Sequence, residues 1–294
     1  MAKIKIQLNH PGSQKKYKSN DDSYFLHSKK TYRRWNKDDI HYRKFLINEG
    51  DFVNSKNEIS NQKSNLYFWG EWEGYSEFMP YHGVKSQMVP NGIHKPIFSS
   101  NLNPEKQNTD PYVFGDFFKY AICKQRGQLC NLDNGSLILF GSTYPSTGVF
   151  FIDTVFVVSG HETALNVINN KAENYSDVYI NSTLKRLENE YVNFNPKNKL
   201  KLYHSQTWWH NNEYFSFVPC KLTDDKCGFE RLSIPLNKYP ELSLSSYPSG
   251  KSYMNKCKLE PEEVWNIIYI EAIKQGFVFG IKFKEPKDEI IGSI

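Results

Sequence analysis

The sequence lacks the motifs that identify the commonest nucleotide-dependent enzymes and hydrolases. It contains no Gly-x-x-x-x-Gly-Lys-Ser/Thr loop and no Gly-x-Gly-x-x-Gly turn between a strand and a helix. The Gly-x-Ser-x-Gly elbow, the His-Glu-x-x-His zinc motif and the zinc-deaminase signature are also missing. These absences argue against ATPases, Rossmann dehydrogenases and α/β-hydrolases.

Long apolar runs and a secretion signal are missing as well. The most apolar segments extend over about ten residues, whereas about twenty are needed to cross a bilayer. Residues 1–8 alternate charged and apolar side chains, so no charged-then-apolar leader is recognised. Five cysteines, an odd number, predict reduced thiols rather than disulfides. The expected protein is soluble and cytoplasmic, without membrane contact.

Aromatic side chains, by contrast, are abundant. Tyr, Phe and Trp make up 15% of the 294 residues, and hydrophobic residues make up 39%, which indicates a folded chain. This length allows one large domain or two smaller ones. We expect a single α+β domain over residues 1–294. The alternative division separates a barrel with a basic N-terminal segment, residues 1–165, from a helical and β extension, residues 166–294.

The net charge of +5 is concentrated at the start of the chain. Residues 1–44 carry 12 Lys/Arg against 4 Asp, while the remainder carries 25 basic against 28 acidic residues. A basic segment suits an anionic partner such as a phosphate backbone, although a solvated surface without a partner is the alternative. Basic and aromatic residues alternate there, as in segments that hold phosphates while stacking on bases. The predicted phosphate-binding residues are Lys29, Lys30, Arg33, Arg34 and Arg43.

Apolar periodicity and end signals predict the main elements. Helices are expected at residues 38–50 and 176–190, and most clearly from Pro261 to Gly276, where Glu262 and Glu263 complement the helix dipole. Strands are expected at residues 3–8, 66–72, 200–202, 214–218 and 277–283.

One stretch, residues 109–160, organises the rest of the prediction. Two apolar runs, Leu137–Phe140 and Val149–Val158, flank a turn-rich loop and predict the central hairpin of a small β-barrel. Asp153 lies inside the second run, where we expect a structural hydrogen-bond acceptor rather than a catalyst.

This hairpin resembles the central strands of PUA-like domains. The resemblance is carried by GSLILFGS at 135–142 and FFIDTVFVV at 150–158, and it extends to the EVE and ASCH modules and the nucleotide-modification-associated families. FGDFFKYAICKQ at 114–125 resembles the Phe-Gly segment that precedes the hairpin in the last group. Ser136 stands where those families often have Asp. The resemblance implies an α+β fold with a PUA-like curved β-barrel core and peripheral helices.

The resemblance also implies a barrel mouth that holds a base or nucleotide between aromatic rings. Related modules read modified bases, bind RNA or accompany DNA-modification and defence systems. Carboxylates at such a mouth accept hydrogen bonds from base edges, as they do from cytosine N4. The predicted ligand-binding residues are Trp69, Glu71, Trp72, Glu73, Asp110, Tyr112, Phe114 and Asp116. The alternative is that the rings pack the core and the acids lie on solvated turns.

Two further hypotheses remain open. An enzyme acting on nucleic acid or nucleotides would use Mg²⁺ or Mn²⁺ with oxygen ligands, and Glu71, Glu73 and Asp116 are its catalytic candidates, with Asp110, His82 and His94 as further ligands. Glu71 and Glu73 also admit a paired-carboxylate glycosidase. Outside the metal hypothesis we expect no cofactor and no metal site. A protein-interaction module, whose exposed aromatic residues meet a partner chain, is the last alternative.

Overall fold

The computed structural model describes most of the chain. It covers residues 3–10, 24–27, 30–33, 43–60, 62–82, 89–100, 109–121, 127–144, 147–163, 175–184, 201–247 and 250–290, with the backbone alone at 24–27, 30–33 and 127–128. These residues form a mostly β protein with two sheets.

The first sheet has seven strands. They are β1 (Lys5–Asn9), β8 (Lys119–Ala121), β9 (Leu137–Thr143), β10 (Val149–Thr163), β11 (Lys201–Ser205), β13 (Leu232–Pro235) and β14 (Gly250–Tyr253). Their order is β14-β1-β9-β10-β11-β8, and β13 pairs with the first part of β10. Strand β1 runs parallel to β9, whereas the other pairs are antiparallel.

The second sheet has eight strands and closes partly on itself. They are β2 (Tyr24–His27), β3 (Lys30–Arg33), β4 (Lys44–Val53), β5 (Ser64–Gly70), β6 (Ser76–Pro80), β7 (Gly92–Pro96), β12 (Val218–Lys221) and β15 (Val278–Phe283). The order is β15-β12-β5-β4-β7-β6-β3-β2, and β15 also pairs with β4. Strands β4, β5, β12 and β15 therefore form a small closed barrel.

The predicted hairpin is present as β9 and β10, and it is buried on both faces. Ile138 and Phe140 belong to one apolar core, while Leu137 and Leu139 belong to the other. Burial on both faces explains the unbroken apolar runs, because neither face requires polar residues. A small closed barrel is also present, but it consists of other strands, and β9 and β10 lie in the seven-stranded sheet.

Two α-helices occur in the part of the chain that the structure describes. Helix α1 (Asp177–Tyr179) continues as a π-helical turn, Ile180–Leu184, so the helix predicted at 176–190 is irregular there, and residues 185–190 lie outside the described ranges. Helix α2 (Pro261–Lys274) is confirmed, with Pro261 in its first turn and Glu260 and Glu263 forming a capping box. Neither described helix has the length and apolar composition that a membrane crossing requires.

The prediction of a helix at residues 38–50 is wrong for residues 44–50, because residues 44–53 form strand β4. Residues 38–42 lie outside the described ranges. Gly50 does not end a helix. A Cβ atom at Gly50 would lie 2.4 Å from the carbonyl oxygen of Lys282, so glycine permits the close approach of β15 to β4.

The other strand predictions need smaller changes. Those at residues 3–8, 200–202 and 277–283 correspond to β1, β11 and β15. The strand predicted at 66–72 ends at Gly70 as β5, so residues 71–73 do not alternate between two sheet faces as expected. Of residues 214–218, only Val218 belongs to β12, and Phe217 forms an isolated bridge to Val155.

Each of the two cores contains residues from both halves of the chain. Ile6 and Phe283 belong to one core, while Phe45 and Phe279 belong to the other. Division of the chain into one or two domains stays a prediction.

Candidate functional site

Three of the predicted stacking residues come together, but inside the protein. Trp72 and Phe114 have ring centroids 5.5 Å apart, and Tyr112 and Phe114 have centroids 5.4 Å apart, both nearly perpendicular. All three side chains are fully buried. Edge-to-face packing of this kind is typical of a core, so a ligand would reach these rings only if the core opened.

Trp69, the fourth stacking residue, lies in the other core. The guanidinium of Arg231 lies 4.6 Å from the indole centroid, which is within cation–π distance. The indole Nε1 donates a hydrogen bond to the carbonyl oxygen of Phe229 at 2.8 Å. Trp69 therefore has protein partners on its face and at its edge.

The predicted acids are spread over separate environments. Asp110 is buried, and its Oδ1 accepts a hydrogen bond from the backbone nitrogen of Ala121 at 3.0 Å. Asp116 is exposed, and the hydrogen bond from Lys282 at 2.5 Å lowers the pKa of its carboxyl group. Glu73 is fully buried. Within the described ranges, no three His, Cys, Asp or Glu side chains are arranged to hold a metal ion.

Glu71 belongs to a buried ion cluster with Arg43, Asp153 and Arg231. The Nη1 of Arg43 donates to Oε2 of Glu71 at 2.5 Å, and its Nε lies 2.8 Å from Oδ2 of Asp153. The Nε of Arg231 lies 3.4 Å from the other oxygen of Asp153. The two positive guanidinium groups and the two negative carboxylates give the ion cluster no net charge, and buried charges require such pairing.

Asp153 reaches this ion cluster through a β-bulge. The register of β9 against β10 shifts between Ile152 and Thr154, which places Asp153 at the irregularity. Asp153 is 2% exposed despite the apolar run around it. The ion cluster also places Arg43, a predicted phosphate ligand, between two carboxylates, so a phosphate would have to displace these contacts.

The other predicted phosphate ligands cannot be placed in the same way. Lys29 and Arg34 lie outside the described residues, and Lys30 and Arg33 lie on β3, of which the backbone alone is described. His94, a ligand in the metal hypothesis, is buried on β7 with its Nδ1 2.6 Å from Oγ of Ser76.

A lysine that the sequence did not single out lies beside Tyr112. Lys119 and Tyr112 exchange two backbone hydrogen bonds of 2.8 Å, which close a hairpin over residues 112–119. The Lys119 Nζ lies between 4.6 and 5.9 Å from four aromatic ring centroids, which belong to Tyr112, Phe117, Tyr175 and Tyr179. We call this set of rings the aromatic cage.

The ammonium group of Lys119 has little polar contact inside the aromatic cage. Lys119 is 4% exposed, and within the described residues its Nζ donates one hydrogen bond, to the carbonyl oxygen of Phe117 at 3.2 Å. Burial lowers the pKa of Lys119 to about 8, against the opposing effects of Glu285 and Asp116. The aromatic faces provide the remaining stabilisation of the charged form.

A hydrogen-bonded group of three side chains adjoins the aromatic cage. The hydroxyl of Tyr175 donates to Oε1 of Glu162 at 2.6 Å and lies 2.7 Å from Nε2 of His204. That imidazole nitrogen is also 3.0 Å from Oε1 of Glu162. Burial lowers the pKa of His204, while Glu162 acts in the opposite direction. The group fixes the imidazole plane, as a neighbouring carboxylate does for histidines in many sites.

His204 and Phe117 face a cavity of about 340 Å³. Its lining comprises Phe117, Ser159, residues 204–207 and His210. The volume is within the range of small-molecule sites, and the lining combines an aromatic ring and imidazoles with hydroxyl and amide groups. We call it the Phe117 cavity. None of these lining residues stood out in the sequence, where the one local signal is the run of two tryptophans and a histidine at 208–210.

Comparisons of the chain with protein-family models, with curated proteins and with solved structures found no match. The function of the protein is therefore inferred from the side chains described above.

Proposed function

We propose that this protein binds a nucleotide or a nucleic acid, with a base, including a modified one, in the Phe117 cavity. The proposal includes a PUA-like fold, with which the mostly β architecture and the small closed barrel are compatible, although β9 and β10, the strands that carry the resemblance, lie outside that barrel. Compared with the sequence prediction, the base site moves from the buried rings of Trp72 and Phe114 to the more accessible side of the 112–119 hairpin.

The observation that carries the proposal is the chemistry of the Phe117 cavity. Phe117 is half-buried, and its ring lies 5.1 Å from the imidazole of His204, so both present flat surfaces at one cavity. Gln206 and Thr207 add an amide and a hydroxyl at the same cavity. Bases are bound by this combination of stacking and edge hydrogen bonds.

Charge and redox state support the same proposal. Residues 1–44 carry a net charge of +8, from 12 Lys/Arg against 4 Asp, and such a basic segment suits the phosphates of a bound nucleotide. The described cysteines, Cys130, Cys220, Cys227 and Cys257, are free thiols. Free thiols are usual in the reducing cytoplasm, where we place the protein.

Fluorescence anisotropy with labelled DNA and RNA oligonucleotides tests the proposal, alongside calorimetry with free nucleotides and oligonucleotides carrying modified bases. We expect binding that weakens steeply with salt and is lost in the Arg33→Ala/Arg34→Ala variant. Phe117→Leu removes one stacking surface, which is worth about 1–3 kcal/mol per base, so affinity should fall by about fivefold to 150-fold.

Tyr247→Leu is the matched control, because Tyr247 is 76% exposed and does not line the Phe117 cavity. We expect this variant to bind like the original protein. The proposal fails if no nucleotide or nucleic acid binds at low salt. An equal loss of affinity in Phe117→Leu and Tyr247→Leu would move the base site elsewhere.

A further inference from the structure

Gly115 leaves a small opening beside the amine of Lys119. Its φ of +86° is in the region that favours glycine. A Cβ atom at this position would lie 3.3 Å from Oε1 of Glu285 and 3.5 Å from Nζ of Lys119. The amine of Lys119 and the carboxylate of Glu285 therefore both lie next to the position that a side chain at residue 115 would occupy.

This opening leads to a second cavity of about 160 Å³. Gly115, Phe283 and Glu285 line it, together with lysines of β15 and its neighbours. The volume has room for a molecule of a few heavy atoms, by comparison with the roughly 30 Å³ that a water occupies in the liquid. Lys119 does not itself line this cavity, so a small molecule bound there reaches its amine only past Gly115, which has no side chain.

The amine of Lys119 is suited to act as a nucleophile. Nucleophilic lysines are activated in apolar surroundings, because the neutral amine carries the reactive lone pair. Lys119 meets that condition through the aromatic cage and its single hydrogen bond. No carboxylate of the described residues forms an ion pair within 4.0 Å of its Nζ, so no direct partner locks it in the charged form.

Glu285 is held in place to move protons at the same point. Its Oε1 accepts hydrogen bonds from the hydroxyl of Tyr112 at 3.0 Å and from that of Ser176 at 2.5 Å. Both donors are on elements that pack against the aromatic cage. No ion pair within 4.0 Å joins this carboxylate to the amine of Lys119, so a bridging water would carry the proton from the amine to Glu285 and back to an oxygen.

We propose that Lys119 forms an imine with a small aldehyde or ketone that enters over Gly115. The lone pair of the neutral amine attacks the carbonyl carbon, a C–N bond forms, and the C=O π pair moves to oxygen. Glu285 transfers one proton from nitrogen to that oxygen, which gives the carbinolamine. The nitrogen lone pair then expels the hydroxyl group, which takes up the second nitrogen proton through Glu285 and leaves as water. This activity does not require nucleotide binding, although Phe117 belongs to both the aromatic cage and the Phe117 cavity.

Reductive trapping tests the proposal directly. The full-length protein is incubated with glycolaldehyde and cyanoborohydride at pH 7, and each lysine's alkylation is measured by peptide mass spectrometry. Only neutral amines react, and ordinary lysines have a pKa of about 10.4, so we expect Lys119 to be alkylated at least about tenfold faster than exposed lysines. Lys282, which lines the same cavity and pairs with Asp116, is the internal comparison.

Three variants complete the experiment. Lys119→Met should abolish the fast alkylation and leave that of Lys282 unchanged. Glu285→Gln should slow the alkylation of Lys119 at least about tenfold, because proton transfer is lost while the size of the side chain is kept. Gly115→Ala should slow it by narrowing the opening, with circular dichroism confirming that the variant is folded. Alkylation of Lys119 no faster than that of Lys282 in the original protein overturns the proposal, as does an unchanged rate in Glu285→Gln.

Discussion

Arg43 and Lys119 are both buried cations, yet the protein stabilises them in opposite ways. Arg43 lies between the carboxylates of Glu71 and Asp153, with contacts of 2.5 and 2.8 Å. Lys119 lies among aromatic rings, and its Nζ donates one described hydrogen bond, to a backbone carbonyl. The charge of Arg43 is neutralised by the carboxylates that contact it, whereas the charge of Lys119 is surrounded by the faces of aromatic rings.

The difference separates a structural charge from a chemically available one. A guanidinium keeps its proton at any ordinary pH, so Arg43 can link β4 to the bulge at Asp153 permanently. A lysine amine gives up its proton when it is desolvated without a contacting carboxylate. The first arrangement stabilises the fold, and the second leaves an amine that loses its proton more readily than an exposed lysine does.

The largest effect should come from removing the cation of the ion cluster. Arg43→Met leaves Glu71 and Asp153 buried without their main partner, so we expect a loss of about 3–5 kcal/mol in the free energy of unfolding. Urea denaturation measures it. Lys119→Met is the matched change in the aromatic cage, and we expect a gain rather than a loss of stability at pH 7, because an apolar chain suits the rings and the energetic cost of burying the charge is removed. Equal losses would remove the distinction.

A smaller loss should follow when the central carboxylate is neutralised but its shape is kept. Asp153→Asn leaves two guanidinium groups with one charged partner, and we expect a loss of about 2–4 kcal/mol. Asp116→Asn breaks an exposed ion pair instead and should cost about 0–1 kcal/mol. Guanidinium denaturation curves of the two variants give the comparison. If Asp153→Asn is as mild as Asp116→Asn, the ion cluster contributes little to stability.

The pH dependence of stability should distinguish the two cations further. Lys119 has its pKa lowered to about 8 from 10.5, so the unfolded chain binds more protons between these values. Its contribution to the free energy of unfolding therefore rises with pH across that window and is least favourable below pH 8. The hydrogen bond from Lys282 lowers the pKa of Asp116, which stays ionised there, and burial raises the pKa values of Tyr112, Tyr175 and Tyr179, which stay neutral.

Urea denaturation of the original protein and Lys119→Met from pH 7 to pH 10 measures this effect. The gain from Lys119→Met should be largest at pH 7 and should shrink as the pH rises. Arg43→Met should show no such trend relative to the original protein. A difference between Lys119→Met and the original protein that is independent of pH would show that the amine of Lys119 titrates like an exposed one.

The smallest expected effect concerns the surface. Lys284→Met breaks the ion pair with Glu49, in which both side chains are largely solvated. Because water and salt screen such pairs, we expect a small shift in the unfolding temperature that disappears in 1 M NaCl. Thermal unfolding at low and high salt measures it. A large, salt-independent loss would mean that contact with a carboxylate stabilises any lysine here, whether buried or exposed.

Elements with strong local signals were predictable from the sequence. Helix α2 combines Pro261, two acids in the first turn and a regular apolar stripe, so its bounds follow from local chemistry. The β9–β10 hairpin has two apolar runs that fit only doubly buried strands of this length. Strand β4 was mistaken for a helix because consecutive apolar residues around Phe45 suit either state, and the role of Gly50 depends on β15, far along the chain.

The candidate site was less predictable, because its chemistry depends on contacts between distant segments. Nothing local distinguishes Lys119 from other lysines, since its burial comes from Tyr175 and Tyr179, well beyond β10. The abundance of aromatic residues indicated stacking, but the sequence does not show which rings face a cavity. Trp72 and Phe114 pack the core, while Phe117, in the same stretch as Phe114, lines a cavity.

The closed barrel also determines the order in which the chain can fold. Phe52 pairs with Gly280 and Leu8 pairs with Lys251, so both sheets join segments from opposite ends of the described chain. Such contacts form slowly, because a long loop must close before they are made. During synthesis, the part of β4 that pairs with β15 has no partner strand until β15 emerges from the ribosome. An unpaired strand edge of this kind can pair with other chains. The strand that completes the barrel thus also ends the interval in which aggregation competes with folding.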